Sequence, residues 1–209
     1  MNDQSADLLI LLKAAVNDQP AYLNEPADFD AILTLTAEQN LQALVGEKLC
    51  EDAAFQQSAF YEKAASAILR IVGDQAVWTD AFLQLYREFT RAGVRPLVMK
   101  GLICRELYGG LCDHRPSSDE DILVRKEEFD QVREVLERNG WQMERDRVTS
   151  KELDAVQEVT FDNVDCGLHI EVHTNAIGLE TGIRRQMNEY FTDVFGKAIP
   201  VEIRGTTCY

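Results

Sequence analysis

Apolar residues in the first 92 positions recur at helical spacing. Leu8, Leu9, Leu11, Leu12 and Val16 form one stripe, which stops near Asp18, Gln19 and Pro20. A polar stretch holding Pro20 and Pro26 reads as a loop. Thr36-Ala37-Glu38-Gln39 has the form of a capping box, in which a hydroxyl and an amide satisfy the free N–H groups of a helix start. Leu41, Leu44, Val45 and Leu49 continue at helical spacing. A long amphipathic segment then runs from about 58 to 92, with Phe60, Ala64, Ala67, Ile71, Trp78, Phe82, Leu85 and Phe89 on one stripe. Gly93 follows it, where a left-handed helix cap suits glycine best.

The pattern changes at Gly93. Residues 94–99 read as a short buried strand, and Lys100-Gly101 opens a helix to about Tyr108, broken by Gly109-Gly110. Residues 120–124 read as a second strand, and 126–139 as a helix capped by Gly140. Residues 141–148 and 155–161 read as further strands. In 167–174 Leu168, Ile170 and Val172 face one way, while His169, Glu171 and His173 face the other. Strand, helix, strand, helix and three strands predict an α+β fold with a mixed β-sheet core over 93–209, preceded by a helical N-terminal region over 1–92. No internal repeat or low-complexity segment is evident.

Composition narrows the class of partner. The 209 residues carry a formal net charge of −15. Residues 1–92 hold six Lys and Arg against 14 Asp and Glu, and residues 93–209 hold 15 against 22, so the acidity is general. Such a surface repels polynucleotides and anionic membranes, so neither is expected as a non-specific partner. No apolar run reaches the ~18 residues of a membrane helix, and Leu8 to Leu12 lacks the basic start of a signal peptide, so a cytoplasmic protein is expected. The five cysteines form no C-x-x-C pair and read as free thiols. The tail from Ile199 to Tyr209 reads as a strand and turn that stop short, as in a fragment of a longer chain.

The chemistry concentrates in Arg115-Pro116-Ser117-Ser118-Asp119-Glu120-Asp121-Ile122-Leu123-Val124. Residues two apart on a strand share a face, so Asp119 and Asp121 present their carboxylates side by side. Two such anions in a cleft either raise one pKa or require a cation, for which Mg²⁺ with its hard oxygen shell is suited. Alone, a D-x-D of this kind also fits two surface aspartates at a strand start. Ile122 to Val124 makes the strand a buried one. Lys100-Gly101 sits at a strand-to-helix junction, where backbone N–H groups favour phosphate. Glu171 lies on the polar face of a later strand.

Together these segments resemble the DNA-polymerase-beta-like nucleotidyltransferase superfamily. Within it they are most similar to an uncharacterised bacterial family that carries Lys-Gly, then Arg-Pro-x-x-Asp-x-Asp-x-Leu-Val, then a carboxylate-x-His strand. The matching residues are Lys100-Gly101, Arg115 to Val124, and Glu171-Val172-His173. Two departures stand out. The wider superfamily has Gly-Ser where this chain has Gly101-Leu102, and often has Asp in the place of Glu171.

The resemblance implies Mg²⁺ or Mn²⁺ as cofactor, a nucleoside triphosphate such as ATP as substrate, and an unknown hydroxyl acceptor, a small molecule or a protein. Asp119, Asp121 and Glu171 would be both the metal ligands and the catalytic carboxylates, with Glu171 as base. Lys100 and Arg115 would contact the phosphates, and Gly101, Ser118 and His173 would complete the nucleotide-binding set.

Other readings of the same residues remain. Cys166, His169 and His173 have zinc-like spacing, but strand alternation puts the cysteine on the opposite face from both histidines. His169, Glu171 and His173 on one face also fit a mononuclear metal site. A catalytically inactive nucleotide-binding scaffold and a metal-dependent hydrolase are the alternatives to transfer.

Overall fold

The computed structural model describes residues 3–144, 148, 152, 153, 156, 158–177, 181–191 and 193–209. The chain divides into two compact units, Met1–Ala76 with Leu107–Pro116, and Val77–Glu106 with Ser117–Tyr209.

The first unit is helical. It comprises α1 (Asp3–Asn17), α2 (Phe29–Glu38), α3 (Gln42–Cys50), α4 (Ala53–Gln56) and the first half of α5 (Tyr61–Arg91). Leu8 and Leu11 meet Ile32, Val45, Leu49 and Phe55 in its core. The Phe55 ring is met edge-on by Phe29 and Tyr61, with centroids 5.1 and 6.1 Å away. Asp28 caps α2, its Oδ1 accepting the Ala31 N–H at 3.1 Å, and Asp52 caps α4 through the Phe55 N–H.

The helical unit departs from its sequence pattern at two points. The capping box at Thr36 does not start a helix, because Asp28 has already nucleated α2 eight residues earlier. Thr36 lies near the end of α2, and its hydroxyl donates to the Leu33 carbonyl at 2.8 Å. Phe60 precedes α5 and is exposed, so the buried stripe begins with the helix itself.

The second unit carries the sheet. Its strands are β1 (Leu97–Val98), β2 (Asp119–Leu123), β3 (Gln142–Met143), β4 (Glu158–Asp162) and β5 (His169–His173), in the spatial order β1-β2-β5-β4-β3. β2 and β5 run parallel, and the other pairs are antiparallel. The short α6 (Leu102–Glu106) follows β1, and α7 (Phe129–Arg138) follows β2. The fold is therefore α+β with a mixed sheet, as the order of elements predicts. Beyond β5 come α8 (Gly182–Asn188), α9 (Val194–Lys197) and a hairpin of β6 (Val201–Ile203) and β7 (Thr206–Cys208).

Some strands differ in length from their sequence pattern. The one expected over 141–148 pairs only at Gln142–Met143, although the Glu144 N–H adds one ladder bond to Thr160. Trp141 is buried in the core, and residues 145–147 lie outside the described residues. The strand expected over 155–161 pairs at Glu158–Asp162; residues 155 and 157 also lie outside.

One face of the sheet packs on helices. Ile122, Val159, Phe161, Ile170 and Val172 join Phe82, Tyr86 and Phe89 of α5 and Phe129, Val132 and Leu136 of α7 in one core. Trp78 adds a polar anchor, its indole N–H donating to the Cys166 carbonyl at 2.7 Å. Strand alternation leaves Asp119, Asp121, Glu171 and His173 on the opposite face. No helix among the described residues is long and apolar enough to cross a membrane.

Candidate active site

Asp121 is the centre of the polar face. It pairs in register with Glu171 across the parallel β2–β5 ladder, while Asp119 pairs with His169. Its side chain is almost completely buried, yet it carries two polar neighbours on one oxygen. Lys100 Nζ stands 3.1 Å from Asp121 Oδ1 and 3.7 Å from Asp119 Oδ2. His173 Nε2 stands 3.0 Å from the same Oδ1. An ionised carboxylate can only accept, so Nε2 carries the proton. Burial favours the neutral form of Asp121, but the hydrogen bonds from His173 and Lys100 outweigh it and hold the carboxyl below its ordinary pKa.

The second oxygen meets neither of these donors, and the Glu171 carboxyl can hydrogen-bond Asp121 only while it keeps its proton. Asp121 Oδ2 is buried and, once Glu171 is ionised, has no hydrogen-bond partner among the described residues. A buried anionic oxygen left unmet is costly, and a cation relieves that cost directly. Asp121, Glu171 and His173 each offer a ligand atom within 4.8 Å of the others, so this cluster could hold a metal ion. Asp119 faces Lys100 and is more open to solvent. His169 turns to Asp162, and Cys166 is a free thiol outside the cluster.

Glu171 is poised differently from Asp121. Burial pushes its carboxyl up to about 7, and the Asp121 carboxylate beside it adds to the effect. Two neighbouring carboxyls with displaced pKa values in opposite directions are suited to different chemical roles. Burial also works against the Lys100 charge, but the hydrogen bond and charge of Asp121 prevail and raise its pKa.

Beneath the aspartates lies a pair absent from the sequence reading. Glu120 occupies the core face of β2, fully buried, where alternation calls for an apolar residue. Its Oε1 accepts from the guanidinium of Arg105 at 2.8 Å, and its Oε2 from the Leu102 N–H at 2.6 Å. Arg105, also fully buried, donates to Thr79 Oγ1 at 3.1 Å. Burial pushes the Glu120 carboxyl up to about 7, against the pull of Arg105 and the Leu102 N–H. The pair ties α6 to β2 and so fixes the Lys100-Gly101 turn above the aspartates. Gly101 has φ +67°, and a Cβ there would strike Glu120 Oε2 and lie 2.9 Å from the Asp119 carbonyl. The sequence signal was a charged residue at the inward position of a buried strand, with Arg105 on a helix otherwise set by Leu102.

The structure thus brings together Lys100, Asp119, Asp121, Glu171 and His173, with Gly101 at the turn. Ser118 is exposed just before β2, its carbonyl accepting the His169 N–H at 3.3 Å. Arg115 belongs to the helical unit, at the end of the 3₁₀ turn Gly109–His114.

A mixed sheet that presents paired carboxylates beside a Lys-Gly turn is the setting of a nucleotidyltransferase. Residues 25–209 match the model of a family described as an uncharacterised nucleotidyltransferase, and the chain belongs to that family. No curated protein and no solved structure matches the chain.

Proposed function

We propose that this protein is a metal-dependent nucleotidyltransferase of the polymerase-beta-like kind, which moves a nucleotidyl group from a nucleoside triphosphate to a hydroxyl acceptor. The single observation that supports it most is the unmet Asp121 Oδ2, buried in a cluster with Glu171 and His173. The carboxylate oxygens fit Mg²⁺ or Mn²⁺, with Asp121 and Glu171 as ligands and Asp119 completing the set. Such a cation, when bound, would offset charge on the phosphates and on the attacking and leaving oxygens.

The chain's own residues divide the remaining work. His173 fixes the rotation of Asp121 by occupying Oδ1, which leaves Oδ2 directed for a cation. Lys100, more than half exposed, is free to turn from the aspartates to the triphosphate. Gly101 and Ser118 are the further phosphate contacts. Glu171, as the carboxylate nearest Asp121 on the facing strand, accepts the acceptor's proton. The acceptor oxygen forms a bond to the α-phosphorus, the bond to the bridging oxygen breaks, and its electron pair departs on pyrophosphate.

Incubation with each labelled nucleoside triphosphate, Mg²⁺ or Mn²⁺ and a cell lysate tests the reading. Pyrophosphate release with label carried onto an acceptor is expected; phosphate release would indicate a hydrolase instead. A second reading, an inactive nucleotide-binding scaffold, draws on Lys100, which already neutralises part of the aspartate charge. It predicts metal-independent nucleotide binding and no pyrophosphate.

A further inference from the structure

The sheet face that carries the aspartates changes character at its far end. Leu123 follows Asp121 by two residues on β2 and so shares its face. It pairs across the sheet edge with Leu97 of β1. Both leucines are nearly closed to solvent, yet neither belongs to the core on the opposite face. They line a cavity of about 470 Å³, together with Met99, Phe191, Val194 and Tyr209 among others. Among the described residues that line it, the Tyr209 phenol is the one polar side chain. The cavity starts where the carboxylates stop. Met99 immediately precedes Lys100 and donates its N–H to the Asp121 carbonyl at 2.9 Å, and Leu123 pairs in register with His173.

We propose that this cavity receives the hydrocarbon or aromatic body of the acceptor, an alcohol or phenol whose hydroxyl reaches Asp121 and Glu171. The proposal rests on the nucleotidyl-transfer reading above. Its volume falls within the range of small-molecule sites, roughly 300–1,000 Å³. Its walls discriminate by what they lack. A sugar, an aminoglycoside or a nucleobase would bring hydroxyls, ammonium groups or ring nitrogens to a wall with almost no side chain to meet them. An apolar body loses nothing there and gains by leaving water. A single hydroxyl at one end of such a body would project along β2 toward the carboxylates, the position that Glu171 requires.

Calorimetry with 2-naphthaleneethanol, a neutral aromatic alcohol, and with glucose tests the assignment on the native chain. Mg²⁺–ATP affinity is measured beside it. The naphthyl alcohol is expected to bind and glucose not to. Ala198→Trp, which adds an indole to the cavity lining, is expected to weaken the alcohol roughly tenfold or more and to leave Mg²⁺–ATP affinity unchanged. Circular dichroism checks that this variant folds; the native-chain measurement decides even if it does not. A native chain that binds Mg²⁺–ATP but not the alcohol overturns the proposal. So does a folded Ala198→Trp variant that loses ATP affinity, since the cavity would then hold the base. Alcohol binding in a chain that neither binds Mg²⁺–ATP nor releases pyrophosphate keeps the apolar site but overturns the transfer reading, and with it the acceptor's role. Pyrophosphate release stimulated by the alcohol supports both.

Discussion

Asp121 and Glu171 face each other in register on the parallel strands β2 and β5, 50 residues apart in sequence (171 − 121 = 50). Their environments push them in opposite directions. Asp121 is held ionised by His173 and Lys100, while Glu171 is raised to about 7 by burial and by Asp121 itself. One is prepared as a permanent anion and the other as a group that exchanges a proton near neutral pH.

Nucleotide binding is expected to require a divalent cation and to depend more on Asp121 than on Lys100. Removing a partner that merely orients a metal ligand weakens affinity by roughly 10- to 100-fold, so Asp121→Asn should weaken Mg²⁺-dependent ATP binding by about 100-fold or more. Lys100 is half exposed and one of several contacts, so Lys100→Ala should cost about tenfold or less. Calorimetry with and without Mg²⁺ reads both effects. Equal ATP affinity with and without the cation in the native protein would falsify the metal assignment.

Glu171→Gln keeps the shape of the side chain and removes its charge. If Glu171 serves as base, transfer should fall by roughly 10²- to 10⁴-fold, while ATP affinity changes little. Pyrophosphate release and nucleotide affinity can be measured on the same purified variant. Full turnover would reduce Glu171 to a strand residue.

The raised carboxyl of Glu171 also sets a pH dependence. A carboxyl must lose its proton before it can ligate, so divalent-cation affinity of the metal-free chain should climb with pH and level off above about 7. Stability should move the other way. Between its ordinary 4.5 and about 7, the folded chain retains a proton that the unfolded chain has released, so the contribution of this group to stability declines as pH rises. Denaturant titrations across pH 4 to 8 on native and Glu171→Gln proteins should show a shallower decline in the variant. An identical pH profile in the two would remove Glu171 as the source.

The buried pair beneath β2 lends itself to a double-mutant cycle. Arg105→Met leaves the Glu120 carboxylate without its guanidinium, and Glu120→Met strands Arg105 in the core. Each single change should destabilise by about 3–5 kcal/mol. The double variant should be less destabilised than the sum, because no uncompensated charge remains. Urea unfolding measures all three; additive losses would mean that the two side chains act independently.

The sequence shows its elements more clearly than its assembly. Period-two alternation in 167–174 was sufficient to place Glu171 and His173 on one face, and D-x-D spacing did the same for the aspartates. Both expectations rest on geometry that a strand imposes within a few residues. What joins β2 to β5 in parallel is long-range, and nothing local to Asp121 names its partner. The false capping box at Thr36 shows the opposite failure, a local pattern met by chance inside a helix that Asp28 had already begun. Glu120 is not legible in this way, because a charge inside an acidic motif looks like more of the motif. Only burial reveals that it points into the core.

The Gly101 turn restricts the routes by which this sequence can change over generations. A side chain at position 101 collides with Glu120, and Glu120 cannot be withdrawn without releasing both Arg105 and the Leu102 N–H. No one of these positions can drift first without loss. Even a chain that had exchanged the Arg105–Glu120 pair for smaller residues would still meet the Asp119 carbonyl and the positive φ at position 101, so the turn resists replacement on two independent grounds.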